Sequence, residues 1–448
     1  MRTIKFSIGY NHSLDTLKLL DDYREKLEAF YFPMPQAIMG TGRYIPQSGS
    51  YPEEIPRIIK RCNSLNIKPQ LLVNSTCEGI NGLTKKTFSR VIDYALSLKS
   101  IGLKSIILTN PVYISQIKRL IPDVLIESSV NCYVRTVEHA LYLKDLGIDV
   151  LTIDRDINHD IAMIGRIRDK TKLKIKIILN EGCVRHCPFR NMHYNYLSHG
   201  NFSERKNIDN TYIDKFGISL FVNKPEKMFR MPFIPPDYLG YYADIADYFK
   251  LSTRVFSTVR IKECLDAYVD RQYRGNLLNI IDSPCLSYFY FIDYRHMKNI
   301  FFEKISRCDT SCKNCNLCKK IFKKTVLVNP DFIKISDRQK ASNSAIRIYN
   351  NLLRDSKKIV QPFLQIGIFL EKIRNHNASI NIYLQVLKVY PRAAELYAGL
   401  SRSYFAIRRY KNAFESARKA TALGYKDRDV GFIINSCYTK WKNARKQI

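Results

Sequence analysis

The stretch FSRVIDYALSLKSIGLKSIILTN, residues 88–110, combines the two patterns from which the fold of this chain is predicted. Its first part has the apolar spacing of an amphipathic helix. Its last part, SIILTN, is a strand-length apolar run that ends on an asparagine. Helices that alternate with short β-branched strands are typical of a parallel sheet built from βα units.

Eight strand candidates of this kind recur in the first 255 residues, with helical stretches between them. The runs are IKFSIGY (4–10), EAFYFPM (28–34), PQLLVN (69–74), SIILTN (105–110), VLIESSVN (124–131), VLTIDRD (150–156), KIKIILN (174–180) and DYFKLSTR (247–254). Eight such units predict an α/β fold, a (β/α)8 TIM-like barrel. A doubly wound open sheet competes, but no glycine-rich dinucleotide fingerprint follows the first strand.

Five strand candidates end on a polar residue: Asn74, Asn110, Asn131, Asp154 and Asn180. The C-terminal strand ends of such a barrel face its mouth, where active sites lie. Asparagine and aspartate also favour turns and helix caps, so both roles are open for each of them. We expect Asp154 and Asn180 to be among the residues that hold substrate.

The segment NEGCVRHCPFR, residues 180–190, follows the seventh strand with a CxxxC pair, Cys183 and Cys187. The chain has twelve cysteines and no apparent secretion signal, so we expect a cytoplasmic protein whose thiols bind metal or do redox chemistry. Arg190 stands where a radical S-adenosylmethionine triad would have its third cysteine, which counts against that class. Arg190 and His193 are candidate catalytic residues that hold an anionic substrate or the charge of a cluster. A surface salt bridge is the alternative for Arg190, and a thiol nucleophile activated by histidine stays open.

A second group of cysteines, CDTSCKNCNLC, lies in a predicted loop. It comprises Cys308, Cys312, Cys315 and Cys318. Four thiols so close in the chain favour an iron–sulfur cluster, with zinc or an empty loop as alternatives. The six residues of the two groups are the candidate metal ligands, for one four-iron four-sulfur cluster or two.

The end of the chain carries a repeat with a 34-residue offset, which pairs Gly367 with Ser401 and Leu370 with Tyr404. The period resembles tetratricopeptide repeats, which bind protein partners. From Lys319 onward there are 27 Lys and Arg against 8 Asp and Glu, within a net charge of +31. Such a basic region indicates RNA as a partner, although a Lys-rich composition needs no anionic partner.

These patterns divide the chain into four predicted segments. They are the barrel (1–255), a Cys-rich extension (256–325), a basic linker (326–360) and an all-α repeat domain (361–448). No apolar run approaches the length of a membrane span, so we expect no membrane partner.

The order of these motifs resembles the collagenase-like peptidase U-32 family over roughly residues 1–325. The motifs that carry the resemblance are NEGCVRHCPFR, MPFIPPDYLGYY, DYFKLSTR, AYVDRQYRGNLLNIID and the cysteine block. The family name implies proteolysis. Better-understood relatives imply a four-iron four-sulfur cluster and oxygen-independent hydroxylation of RNA bases or an aromatic metabolite, and Cys183 and Cys187 match the close cysteine pair of that cluster.

Three functional hypotheses follow from the sequence. The first is an iron–sulfur redox modification enzyme that acts on an RNA base or an aromatic metabolite. The second is a U-32-type peptidase, and the third is a zinc-stabilised scaffold that binds proteins through its repeats.

Overall fold

The computed structural model describes most of the chain. The described residues are 4–43, 47–79, 82, 84–198, 220–221, 224–283, 286–287, 289–292, 304–305, 307–308, 310–328, 360–372, 374–389 and 391–444.

Eight parallel strands close into a barrel, which confirms the predicted fold class. They are β1 (Phe6–Gly9), β2 (Leu27–Pro33), β3 (Lys68–Val73), β4 (Ser105–Leu108), β5 (Leu125–Ser128), β6 (Val150–Thr152), β7 (Lys174–Ile178) and β8 (Tyr248–Lys250). The barrel closes where β8 pairs with β1, with Phe249 opposite Phe6 and Lys250 opposite Ser7. The carboxyl ends of all eight strands therefore meet at one mouth.

The helices around the barrel follow their strands as the amphipathic segments predicted. They are α1 (Thr16–Asp22), α2 (Tyr51–Ser64), α3 (Lys85–Ser100), α4 (Pro111–Leu120), α5 (Val137–Asp145), α6 (Ile161–Thr171), α7 (Arg190–Ser198) and α8 (Thr258–Val269). Their apolar faces and the outer faces of the strands form one large core. Side chains cap several helix starts, as where Thr84 accepts from the backbone N–H of Thr87 at the start of α3.

The interior of the barrel holds a buried charge network instead of purely apolar layers. Lys176 Nζ lies 2.5 Å from Glu127 Oε2 and 3.3 Å from Glu28 Oε2. Gln70 donates to Glu127 Oε2 at 2.8 Å, and Ser7 donates to Glu28 Oε2 at 2.7 Å. Polar side chains inside the barrel thus satisfy one another, as buried charges must.

The Cys-rich extension ends in an element that the sequence did not predict. A helix, α9 (Leu317–Thr325), leads into the strand β10 (Val326–Val328), which pairs antiparallel with β9 (Tyr290–Ile292). The first three residues of the predicted basic linker therefore form a strand, because the apolar VLV run pairs with residues 290–292. Residues 329–359 of that linker lie outside the described residues.

The described tail is helical, with helices that recur at the predicted 34-residue period. They are α10 (Val360–Lys372), α11 (His376–Val389), α12 (Ala394–Ala406), α13 (Tyr410–Ala422) and α14 (Arg428–Ala444). The tail contacts the rest of the chain, since Asn381 Nδ2 donates to the carbonyl of Arg274 at 3.3 Å. Val259 and Phe291 also belong to the hydrophobic cluster of the tail. The resemblance to tetratricopeptide repeats stays a prediction.

A tyrosine ring lies between two glycines of neighbouring tail helices. A Cβ on Gly399 of α12 would lie 2.4 Å from the ring of Tyr383, and one on Gly367 of α10 would lie 2.1 Å from it. Small residues at these positions are what allow α10, α11 and α12 to pack closely.

Gly399→Ala is expected to lower the free energy of unfolding of the tail by about 1–3 kcal/mol, because the added methyl group overpacks against Tyr383. Gly431→Ala in α14 is the matched control, since no atom lies within 4 Å of the added Cβ. That change should stabilise the helix by about 0.5–1 kcal/mol. Thermal unfolding measured by circular dichroism compares the two, and equal effects would contradict the packing argument.

Candidate active site at the barrel mouth

The loop after β7 brings Cys183 and Cys187 together as a hydrogen-bonded thiol pair. The thiol of Cys183 donates to Cys187, and this bond lowers the pKa of Cys187 while it raises the pKa of Cys183. The loop is fixed from within, because the backbone N–H of Cys183 donates to Glu181 Oε1 at 3.0 Å. The hydrogen bond therefore makes Cys187 the more acidic thiol of the pair at the mouth of the barrel.

A glycine lets this loop lie directly on a second segment of the mouth. A Cβ on Gly182 would stand 2.4 Å from the carbonyl oxygen of Asp282, so no larger residue fits. The hydroxyl of Ser283 donates to the carbonyl of Gly182 at 2.9 Å. The NEGC sequence is therefore explained in part by the close approach that its glycine allows.

Asp156, after β6, is the anchor of the cysteine loop. Its Oδ2 lies 2.5 Å from Arg190 Nη1 and 2.9 Å from Arg135 Nη2, and its Oδ1 accepts from the backbone N–H of His186 at 2.9 Å. Burial raises the pKa of Asp156, but the hydrogen bond and charge of Arg190 outweigh this and leave the pKa lowered. The carboxylate is therefore ionised and joins three points of the mouth.

Arg190 lies at the start of α7 and is almost fully buried, with a side chain 2 % exposed. Besides Asp156, its guanidinium donates to the carbonyl of Val184 at 2.6 Å and to Cys183 Sγ at 3.8 Å. The salt bridge considered from the sequence is thus present, but it is buried and not at the surface. The geometry gives Arg190 a positioning role, in which it holds the loop and supplies an N–H group to a cysteine sulfur.

The predicted strand-end residues mostly hold the mouth together. Asn180 bridges β7 and β8, since its side chain accepts from the N–H of Ser252 at 2.7 Å and donates to its carbonyl at 3.2 Å. Asp154 caps the turn after β6 and pairs with Arg135. Asn110 caps α4 by accepting from Val112. For Asp154 and Asn110 the cap and turn role, one of the two predicted, is the observed one, whereas Asn180 joins two strand ends.

The site contains cations that sequence reasoning missed. Arg155 is buried, its Nε lies 3.0 Å from Glu181 Oε2, and its Nη2 donates to Asn131 Oδ1 at 3.0 Å. Lys250 and Arg254 come from the eighth strand and the residues after it. The sequence signal for Lys250 was a charged residue between apolar residues of the eighth strand candidate, DYFKLSTR, from which no role was predicted.

Comparison with known proteins identifies the family. A curated relative from Methanocaldococcus jannaschii, named an uncharacterized protease, is 30% identical over 337 residues, which cover 72% of this chain and 99% of the relative. This chain belongs to peptidase family U32. Residues 43–198 match the sequence profile of that family, and the match ends at the last residue of α7. A solved U32 peptidase, Mk0906, is 18% identical over 47% of this chain and 82% of its own, with a TM-score of 0.39.

In this U32 chain the second cysteine group lies near the cysteine loop but does not join it. Arg185, within the loop, donates to the carbonyl of Cys308 at 3.2 Å. The pKa of Cys318 is raised to about 11 by burial and by the charges of Cys308, Cys312 and Cys315. Cys318 therefore lies close enough to the other three cysteines for their charges to act on it, and a cation bound there would relieve that repulsion.

His193, the remaining predicted residue, lies in the first turns of α7 and is half-buried. Its charge contributes to the lowered pKa of Cys187 after the hydrogen bond from Cys183. The structure therefore places it beside the thiol pair, on the same helix as Arg190.

The donor chemistry of both groups suits a thiolate-held metal, although neither is a preformed cage. Within the part of the chain that the structure describes, no three His, Cys, Asp or Glu side chains converge as a metal site. Cys183 and Cys187 would supply two sulfur ligands, and Arg190 provides the kind of N–H contact that surrounds such sulfurs. The residues thus fit part of a ligand set.

Among the described residues, no helix is both long and apolar enough to cross a membrane.

Proposed function

We propose that this U32 protein is an iron–sulfur redox enzyme that modifies an anionic substrate at the barrel mouth, in the manner of an oxygen-independent hydroxylase. The observation that carries the proposal is the partner of the Cys187 thiolate. That partner is a second thiol, Cys183, rather than an imidazole. Paired thiolates are ligands for iron–sulfur clusters, whereas a thiol nucleophile is usually activated by histidine.

The surroundings of the pair support the same proposal. Arg190 donates to Cys183 Sγ at 3.8 Å, and hydrogen bonds to sulfur tune such centres. A cluster, when bound, would accept or relay electrons. The residues of this chain would do the rest: Asp156 and Arg190 fix the loop, and Glu181 fixes the backbone of Cys183.

The substrate class is argued from charge. The mouth contains the buried guanidinium of Arg155, and the chain as a whole carries a net charge of +31. Such a field attracts phosphates and carboxylates. An RNA base or an aromatic acid fits that chemistry, and the basic tail favours RNA.

Elemental analysis of anaerobically purified protein tests the proposal. We expect iron with acid-labile sulfide and the broad visible absorption of thiolate-bound clusters. Zinc without iron would instead favour the scaffold hypothesis, with the metal at Cys308, Cys312, Cys315 and Cys318. Protein with neither metal would leave the thiols to nucleophilic chemistry.

Filter binding of tRNA and rRNA over a salt series tests the RNA partner. If the basic tail binds the phosphate backbone, affinity falls steeply and linearly with the logarithm of salt concentration. A protein that lacks residues 360–448 should lose most of that slope. Binding without steep salt dependence would contradict the electrostatic argument.

A thiol peptidase is the second candidate, and the specific observation for it is the lowered pKa of Cys187 beside His193. The curated relative is also named a protease. Cleavage of gelatin or peptides by metal-free protein, abolished in Cys187→Ala and in His193→Ala, would establish this function. Cleavage that survives Cys187→Ala would exclude it.

A further inference from the structure

Three cations meet at the mouth end of the barrel interior, outside the cysteine loop. They are Lys250, Arg254 and Arg155, and the charges of the two arginines act on Lys250. Lys250 is the last residue of β8, and its ammonium lies 4.2 Å above the centre of the Tyr31 ring. The lysine is 7 % exposed, and no hydrogen bond or ion pair joins its side chain to another described residue.

A glycine makes the room for this arrangement. A Cβ on Gly9 of β1 would lie 2.6 Å from the Tyr31 ring and 2.7 Å from Arg254 Cγ. Tyr31 crosses this gap and donates its hydroxyl proton to the carbonyl of Leu251 at 2.9 Å. Because Gly9 has no side chain, Tyr31 and Arg254 can pack over the inner end of the mouth, beside Lys250.

Both arginines have unused donors there. Nη1 of Arg155 and Nη1 of Arg254 are buried and have no hydrogen-bond partner among the described residues. A buried N–H without an acceptor costs about 1–3 kcal/mol, and more when the group is charged. A carboxylate, with two acceptor oxygens, is the ligand that satisfies two guanidinium donors.

The environment of Lys250 leaves much of its amine uncharged. Burial lowers the pKa of Lys250 to about 7, and among the neighbouring charges only Glu127 opposes this. Three cations also lower the pKa of Lys250. They are Lys176 inside the barrel, and Arg254 and Arg155 at its mouth. At neutral pH the free-amine fraction is therefore roughly a thousandfold larger than for an exposed lysine with a pKa of about 10.4.

We propose that Lys250 is a carbonyl-reactive amine and that Arg254 and Arg155 bind the carboxylate of its substrate, a small 2-oxo carboxylate. The uncharged nitrogen of Lys250 attacks the carbonyl carbon to form a carbinolamine. Loss of water from this adduct, with a proton taken up by the departing hydroxyl, gives an imine in which nitrogen has replaced the carbonyl oxygen. The step consumes no oxidant or reductant, and it does not depend on the cysteine loop.

Reductive trapping tests the proposal on the full-length protein. Pyruvate is the probe, cyanoborohydride supplies the hydride that reduces the imine, and peptide mapping by mass spectrometry locates the secondary amine. We expect labelling of Lys250 at neutral pH to exceed that of exposed lysines at least about tenfold, because far more of its amine is uncharged. Lys176, on the neighbouring strand and paired with two carboxylates, is the internal control that should stay unlabelled.

A second experiment tests the proposed contact between Arg254 and the substrate carboxylate. Arg254→Met should reduce labelling by pyruvate about tenfold more than labelling by acetone, the effect of one lost charge-assisted hydrogen bond to the carboxylate. Acetone lacks a carboxylate and reports only the rise in the pKa of Lys250 that follows loss of the Arg254 charge. Arg166→Met, on the exposed surface of α6, should change neither. Equal labelling of Lys250 and exposed lysines would overturn the reactive amine. Pyruvate labelling that falls no more than acetone labelling in Arg254→Met would overturn the carboxylate contact.

Discussion

Lys176→Met is expected to lower the free energy of unfolding by about 3–5 kcal/mol, the cost of removing one partner from a buried ion pair. The side chains of Lys176, Glu127 and Glu28 are 0 %, 1 % and 5 % exposed. Without the ammonium, two carboxylates remain inside the barrel with less positive charge to stabilise them. Urea unfolding at neutral pH measures the change.

The stability lost in Lys176→Met should depend on pH. In the wild type, burial raises the pKa of Glu28, but Lys176 and Lys68 outweigh burial and leave the pKa lowered to about 2. A depressed pKa gives stability that is present above the unfolded value of about 4.3 and is lost as pH falls toward 2. In Lys176→Met the pKa of Glu28 should rise, so the deficit should shrink at acid pH.

Lys174→Met is the matched control for this experiment, because Lys174 lies on the same strand and is exposed. Its unfolding free energy should stay within about 0.5 kcal/mol of the wild type. A change of less than about 1 kcal/mol in Lys176→Met would contradict the assignment of a stabilising interior network.

Asp156→Asn is expected to release the cysteine loop and to cost about 3 kcal/mol of unfolding free energy. The amide keeps an acceptor oxygen but loses the charge that pairs with Arg190 at 2.5 Å and Arg135 at 2.9 Å. Arg190 would then be a buried cation without its anion. We expect Cys183, which is half-buried in the wild type, to react faster with a thiol reagent under native conditions, as counted by mass spectrometry.

Asp247→Asn is the control that distinguishes release of the cysteine loop from a general loss of stability. Asp247 also pairs with an arginine, Arg168 at 2.6 Å, and accepts a backbone N–H from Ile175 at 2.9 Å, but at the opposite end of the barrel. This variant should lose stability without exposing Cys183. If both variants expose Cys183 equally, Asp156 has no special role in holding the loop.

The sequence predicted the barrel well because the strands are compact apolar runs and five of the eight candidates end on a polar residue. SIILTN and KIKIILN contain β4 and β7, and their last residues, Asn110 and Asn180, lie at the strand ends as expected. The order of the βα units then allows few other ways to arrange the strands in a sheet. The NEGC turn was also placed correctly, directly after β7 at the mouth.

The interior charges were not predictable in the same way. Lys176 and Lys250 occupy alternate positions of apolar strands, a pattern that equally describes a strand with one face in water. Which face is inside depends on pairing across strands far apart in the chain. For the same reason, Asp156 gave no sign that its partner would be Arg190, and the VLV run gave no sign that it pairs with residues 290–292.

The central claim is that Cys183 and Cys187 hold an iron–sulfur cluster at the barrel mouth. The most direct measurement is iron and acid-labile sulfide per chain in anaerobically purified wild type, Cys187→Ser and Cys62→Ala. Cys62 is buried in α2 and serves as the control. We expect the wild type and Cys62→Ala to contain iron and sulfide, and Cys187→Ser to have lost most of both. A wild type without iron, or a Cys187→Ser protein with its iron undiminished, would contradict the claim.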